Sequence, residues 1–150
     1  METNDRVLIA TDGSEDATYA VRKGIEQAKL NKASHVIVLY VKDLIYLSDM
    51  PEDDVTLLIS TGLQKEGELI LEGVKRIASD IGFPVETLIM EGHPADVILD
   101  IAIDRNIDTI ILGKIGRSGI PKLLMGSVAE NVSRHAQCHV TLFKSRPADE

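Results

Sequence analysis

Residues 113–128 read GKIGRSGIPKLLMGSV, with glycines at 113, 116, 119 and 126 and a serine at 127. The stretch follows an aliphatic run and precedes a helical pattern. A backbone stripped of Cβ atoms lets N–H groups come close to an anion. A helix beginning at Ser127 would add unpaired N–H groups and about half a positive charge. Lys114 and Arg117, in the same stretch, would neutralise phosphate oxygens. A second polar cluster, Thr11-Asp12-Gly13-Ser14, follows the first aliphatic run. Asp12 suits ribose hydroxyls as an acceptor. The plain alternative is a long strand-to-helix connection, with Asp12 ending a strand and helping to cap a helix. Loops of that length without secondary structure are uncommon and often functional, which favours the phosphate cradle.

The elements around these clusters follow from hydrophobic periodicity. Arg6–Ala10 (RVLIA) is a short run bounded by turn residues, the pattern of a strand buried on both faces. Ser14 is placed as an N-cap, with Glu15 and Asp16 in the first turn. Ala17, Val21, Gly24, Ile25 and Ala28 then repeat at helical spacing. Residues 34–41 predict a second strand, followed by an acidic loop. From about Asp54 a long helix carries Leu63, Ile70, Val74, Ile77 and Ile81. Gly62, Gly67 and Gly73 count against it at about 1 kcal/mol each, and Gly82 marks its stop. Residues 83–91 predict a strand nearer the sheet edge. Pro94 opens a helix with Val97, Ile98, Ile101, Ala102 and Arg105 on its inner stripe. Residues 108–112 and 138–144 predict two more strands, with a short helix over 127–135 between them. Strands alternating with helices imply right-handed crossovers and a parallel sheet covered on both faces. The chain reads as one domain over 1–150, with a core of about 5–145. Ligands of such sheets sit beyond the strands' carboxyl ends, where the winding reverses. If the first and fourth strands are neighbours, the two polar clusters face one crevice.

Composition narrows the function. The chain has 150 residues, 44% of them apolar, no Trp, and a net charge of −8. An acidic surplus argues against a general nucleic-acid coat and against adsorption to anionic membrane. No run is long enough to span a bilayer, and the amino terminus lacks a signal-peptide pattern. Cys138 is the single cysteine, which excludes an internal disulfide or a Cys-pair metal finger and suits a cytoplasmic setting. His135, Cys138 and His139 straddle a helix-to-strand boundary, so they read as a surface histidine, a buried thiol and a strand residue. GxxxxGK[ST] does not occur, GxGxxG does not follow the first strand, and no serine sits in G-x-S-x-G.

The spacing G-2x-G-9x-G-[ST], met here by Gly113, Gly116, Gly126 and Ser127, resembles the nucleotide-binding signature of the universal stress proteins. The resemblance covers nearly the whole chain, through ATDGS at 10–14, GHPADVILDIA at 92–102, DTIILGKIG at 108–116 and GSVAENV at 126–132. It implies a Rossmann-like α/β/α sandwich of the adenine nucleotide alpha hydrolase-like kind, with five parallel strands in order 3-2-1-4-5. It implies homodimers, often through the last strand, here 138–144. It also implies ATP, or AMP or ADP, with phosphates on Gly113, Gly116, Arg117, Gly126 and Ser127. Val128 would stand next to Ser127's phosphate contact. Asp12 would meet the ribose or help hold Mg²⁺ or Mn²⁺, and Ala10 and Val41 would flank the adenine. Lys114 and Ile115 stand where the family usually has a small hydroxyl residue and then a polar one, and His139 where it often has Pro.

The leading expectation is a cytoplasmic, dimeric ATP-binding regulator of the stress class, acting on a protein partner. The alternatives are a slow metal-dependent ATPase and a nucleotide-free dimerisation module. Residues 44–53 and 114–125 are the candidate mobile loops, with Gly119 as a hinge.

Overall fold

The computed structural model describes residues 5–43, 53–116 and 125–145. Along the chain lie β1 (Arg6–Ala10), α1 (Glu15–Asn31), β2 (His35–Asp43), α2 (Asp54–Ile81) and β3 (Glu86–Gly92), followed by α3 (Pro94–Asp104), β4 (Thr109–Gly113), α4 (Ser127–His135) and β5 (His139–Phe143). The strands form one 5-stranded sheet in the order β3-β2-β1-β4-β5. Every pairing is parallel. The expected order and the expected adjacency of β1 and β4 are both met, and the winding reverses between these two strands.

The sheet's pleat sends alternate residues to opposite faces. Val7, Ile9, Val36, Val38 and Ile111 join α1 and α2 in one core. Leu8, Ile37, Leu39, Ile110 and Leu112 join α3 and α4 in the other. Leu8, Ile9, Ile37 and Leu39 are fully buried, and each contributes about 1.5–3 kcal/mol relative to exposure. The cores are mostly aliphatic, in keeping with the scarcity of aromatic residues, and Tyr40 is buried in the α1–α2 core.

Both long helices begin and end on recognisable signals. Ser14 caps α1, its Oγ accepting from the Ala17 N–H at 3.3 Å, and Lys32 closes it in the left-handed region at φ 54°. Asp53 caps α2, its Oδ1 accepting from the Thr56 N–H at 3.0 Å. That hydrogen bond leads in holding the exposed Asp53 carboxyl below its ordinary pKa. Gly82, at φ 82°, ends the helix.

The inner stripe of α2 differs from the expected one. Gly67, Leu71, Val74 and Ala78 are buried, while Ile70, Ile77 and Ile81 pack half-buried at the margin. Gly67 faces the Tyr40 ring so closely that a Cβ there would stand 2.4 Å from Cδ1. A glycine read as a weakness of the helix is the place where the sheet approaches it.

Strand ends also move. β3 starts at Glu86, because Phe83 and Val85 pack against the α1–α2 core before pairing begins. β2 continues to Asp43, paired with β3 through Lys42↔Glu91 and Asp43↔Gly92. The buried Lys42 donates to Glu91 Oε1 at 3.0 Å. β5 starts at His139 rather than at Cys138. On α3 the buried residues are Ala95, Ile98 and Ala102, with Val97 and Ile101 half-buried. Arg105 is the helix's C-cap and pairs with Glu86.

Candidate functional site

β1 and β4 end side by side, and their carboxyl ends open on a cleft of ≈ 530 Å³. Past β1, the Thr11 N–H donates to Leu39 O at 2.9 Å. Thr11 Oγ1 accepts from the Gly13 N–H at 3.2 Å, and Asp12 Oδ1 accepts from the Ser14 N–H at 2.9 Å. These local bonds fix the Asp12 carboxylate at the cleft. Gly13 needs its glycine twice over. Its φ is +80°, and a Cβ would meet Ile70 Cδ1 at 2.8 Å.

Past β4, the glycines serve close approach. A Cβ on Gly113 would stand 2.6 Å from Ala17 N and 2.8 Å from the Asp16 carbonyl carbon, so this glycine admits α1. A Cβ on Gly116 would stand 2.7 Å from Asp12 Oδ2. Gly126 is the N-cap of α4 at φ −72°, and no side chain caps that helix. Among the described residues, left-handed φ in glycines occurs at 13, 82 and 92, outside the loop. Ser127 is the first helical residue and exposed rather than the cap. The first turn of α4 therefore presents its N–H groups and the Ser127 hydroxyl at the cleft's edge.

Of the residues expected at a site, Ala10, Asp12 and Val41 line the cleft, as do Gly113, Gly116, Gly126, Ser127 and Val128. Arg117, Gly119 and Pro121 lie outside the described residues, as does most of both loops expected to move. The apolar part of the cleft's lining comes from Leu39, Val41, Pro94 and Ile98, together with Ile59 and Leu63 of α2. The α2 wall escaped sequence reasoning as part of a site. Its signal was the spacing of Ile59, Leu63 and Glu66 along one helix face. Tyr40 also reaches the cleft, its hydroxyl donating to Glu66 Oε2 at 3.2 Å.

The sequence marks Asp16 only as a favourable charge in the first turn of α1. It is buried at 8% exposure. Oδ2 accepts from the Ile115 N–H at 3.1 Å, and Oδ1 from the Ser145 N–H at 2.9 Å and the Ser145 hydroxyl at 2.7 Å. No local pattern announces partners so distant in sequence.

The described residues contain no group of three His, Cys, Asp or Glu side chains able to hold a metal ion. His135 and His139 are exposed, and Cys138 is half-buried. Burial first, and then the nearby Asp108 charge, pushes the Cys138 thiol above its ordinary pKa. Among the described residues, no helix is long and apolar enough to cross a membrane.

A parallel α/β sandwich with a mainly apolar cleft carrying a few polar groups at its switch point is a ligand-binding architecture. The chain belongs to the Universal stress protein family, whose sequence profile matches residues 3–144. Universal stress protein MJ0531 of Methanocaldococcus jannaschii is 35% identical over 139 residues, spanning 93% of this chain and 81% of its own. Universal stress protein YxiE of Bacillus subtilis is 31% identical, over 93% of this chain and 99% of its own. The solved structure of protein MJ0577 superimposes with a TM-score of 0.83 at 31% identity, covering 97% of this chain and 99% of that one. Two more distant structures share the fold: a universal stress protein in complex with cAMP (TM-score 0.67, 23% identity, 93% and 95% coverage) and a family protein of Arabidopsis thaliana with AMP bound (TM-score 0.68, 20% identity, 97% of each chain).

Proposed function

We propose that this chain binds ATP, or its mono- or diphosphate, and acts as a nucleotide-dependent regulator of the stress response. The observation that carries the reading is the uncapped N-terminus of α4 opening on the same cleft as Asp12 and Val41. The N–H groups of that turn suit phosphate oxygens, aided by the helix dipole. Gly116, Gly126 and Ser127 hold the phosphates, with Gly113 and Arg117 completing the loop. Asp12 accepts from the ribose hydroxyls. The apolar lining at Ala10, Val41 and Ile98 takes the base, and Val128 closes the side next to Ser127. The missing Cβ at Gly116 leaves room beside the Asp12 carboxylate. Mg²⁺ or Mn²⁺ would be held mainly by the phosphates, with Asp12 as the protein's contribution, and would neutralise phosphate charge. The cAMP and AMP complexes of distant relatives support an adenine ligand.

Among the described residues β5 pairs on one side only, with β4, which supports pairing of two copies through that strand in a homodimer. Calorimetric titration with ATP, AMP and GTP tests the function. Saturable heat with the adenine nucleotides is expected. Folded protein giving no heat with any of them refutes the reading. Product analysis after incubation with ATP and a divalent ion separates a binder from a slow ATPase, since turnover abolished by Asp12→Ala would make it an enzyme.

A further inference from the structure

Asp16 sits behind the cleft, buried in the first turn of α1. Its Oδ2 holds the N–H of the peptide between Lys114 and Ile115. The carbonyl of that same peptide, Lys114 O, accepts the Gly126 N–H at 2.8 Å. Gly126 is the N-cap of α4. A trans peptide is planar, so the direction of its N–H fixes the direction of its C=O. A chain of bonds thus runs from the Asp16 carboxylate through one peptide plane to the start of α4. Aligned bonds of this kind also polarise one another. Three further bonds brace the segments beside it. The Lys114 N–H donates to Phe143 O at 2.8 Å, and Asp16 Oδ1 holds Ser145, just past β5.

We propose that Asp16 is a positioning residue for the phosphate site: through the 114–115 peptide it sets where the N-terminus of α4 stands against the ligand. The inference rests on the nucleotide-binding function above. Asp16 touches no ligand itself. Both of its oxygens are engaged by donors, and its acceptor-only carboxylate suits that role. An amide of the same shape puts an NH₂ group against one of those donors. The plane then loses either its hold on Ile115 or its anchor at Ser145. The base and ribose end of the cleft, at Ala10, Val41 and Ile98, is built from β1, β2 and α3 and does not use this chain of bonds.

The test compares ATP with adenosine, which lacks phosphate, by calorimetry on wild-type and Asp16→Asn protein. Loss of a charged hydrogen bond corresponds to a weakening of roughly ten- to one-hundred-fold. ATP affinity is expected to fall by that factor while adenosine affinity stays within two-fold (about 0.4 kcal/mol, below a typical hydrogen bond). In the variant, the Gly126 amide is also expected to exchange faster with solvent. If Asp16→Asn fails to fold, Asp16→Glu, which keeps the charge and displaces the carboxylate by one methylene, carries the same comparison. Equal losses for both ligands make Asp16 a general structural residue and overturn the proposal, as does undiminished ATP binding. Wild-type protein that binds neither ligand overturns the function and this inference together, whereas wild-type binding with an unaffected variant overturns this inference alone.

Discussion

Gly113→Ala should damage the protein through packing, whereas Gly126→Ala should damage only the site. A methyl on Gly113 would stand 2.6 Å from Ala17 N, 2.8 Å from Asp16 C and 3.0 Å from Ala17 Cα. All three are backbone atoms in the first turn of α1, so no side-chain rotation relieves the overlap. Either α1 or the end of β4 must shift. Overpacking of this kind costs about 1–3 kcal/mol. For a chain of this length each kcal/mol lowers Tm by about 2–4 °C, so a fall of about 6 °C is expected. A methyl on Gly126 meets nothing closer than 3.4 Å, and its φ of −72° is open to any residue. Replacing the glycine cap by alanine costs under about 1 kcal/mol. That methyl does, however, stand at the mouth of α4, where phosphate would lie. Thermal denaturation and ATP titration of both variants check the reasoning. Gly113→Ala with an unchanged Tm would refute the packing role. Gly126→Ala with wild-type ATP affinity would remove the α4 terminus from the site.

Gly73 lies within α2 and a Cβ there meets nothing within 4 Å, so Gly73→Ala should stabilise by about 0.5–1 kcal/mol in urea denaturation. Glu86 is held below its ordinary pKa of 4.5, first by the His35 hydrogen bond, which burial partly opposes, and then by the charge and hydrogen bond of Arg105. Its stabilising contribution is therefore full above that ordinary value and is lost as pH falls through the lowered one. Glu86→Gln should flatten the acid limb of stability below about pH 4.5, by no more than about 1 kcal/mol because the pair is a third exposed. An acid limb identical to wild type would contradict this. Cys138, raised by burial and by Asp108, should alkylate more slowly than a free thiol at neutral pH and accelerate only in alkali, as timed iodoacetamide labelling would show.

What the sequence revealed and what it hid divide by range. The strand runs were legible because each is aliphatic and bounded by turn residues, and the capping signals at Ser14 and Gly82 stand where the helices begin and end. The glycine spacing pointed to the cleft. Its physics was legible only in part, because Gly113 and Gly116 answer to α1 and to Asp12, neighbours that no local pattern names. Gly67 looked like a flaw until Tyr40 was seen against it. Phe83 and Val85 looked like strand because apolar residues pack as readily beside a sheet as within one. Asp16 was hidden most fully, since its partners are 99 and 129 residues away.

The amino ends of the strands are fastened differently from the carboxyl ends. There His35 Nε2 meets Glu86 Oε1 at 2.8 Å, and Arg105 grips the other oxygen of the same carboxylate. The Arg6 guanidinium donates to Arg105 O at 2.8 Å, and the Arg6 N–H to Asp108 Oδ2 at 2.8 Å. This clasp ties β1, β2, β3 and the approach to β4 at the pole away from the cleft. Variation in the loops around the ligand therefore leaves the frame's fastening untouched, and a new ligand preference is open to this chain by exchanging residues at one pole alone.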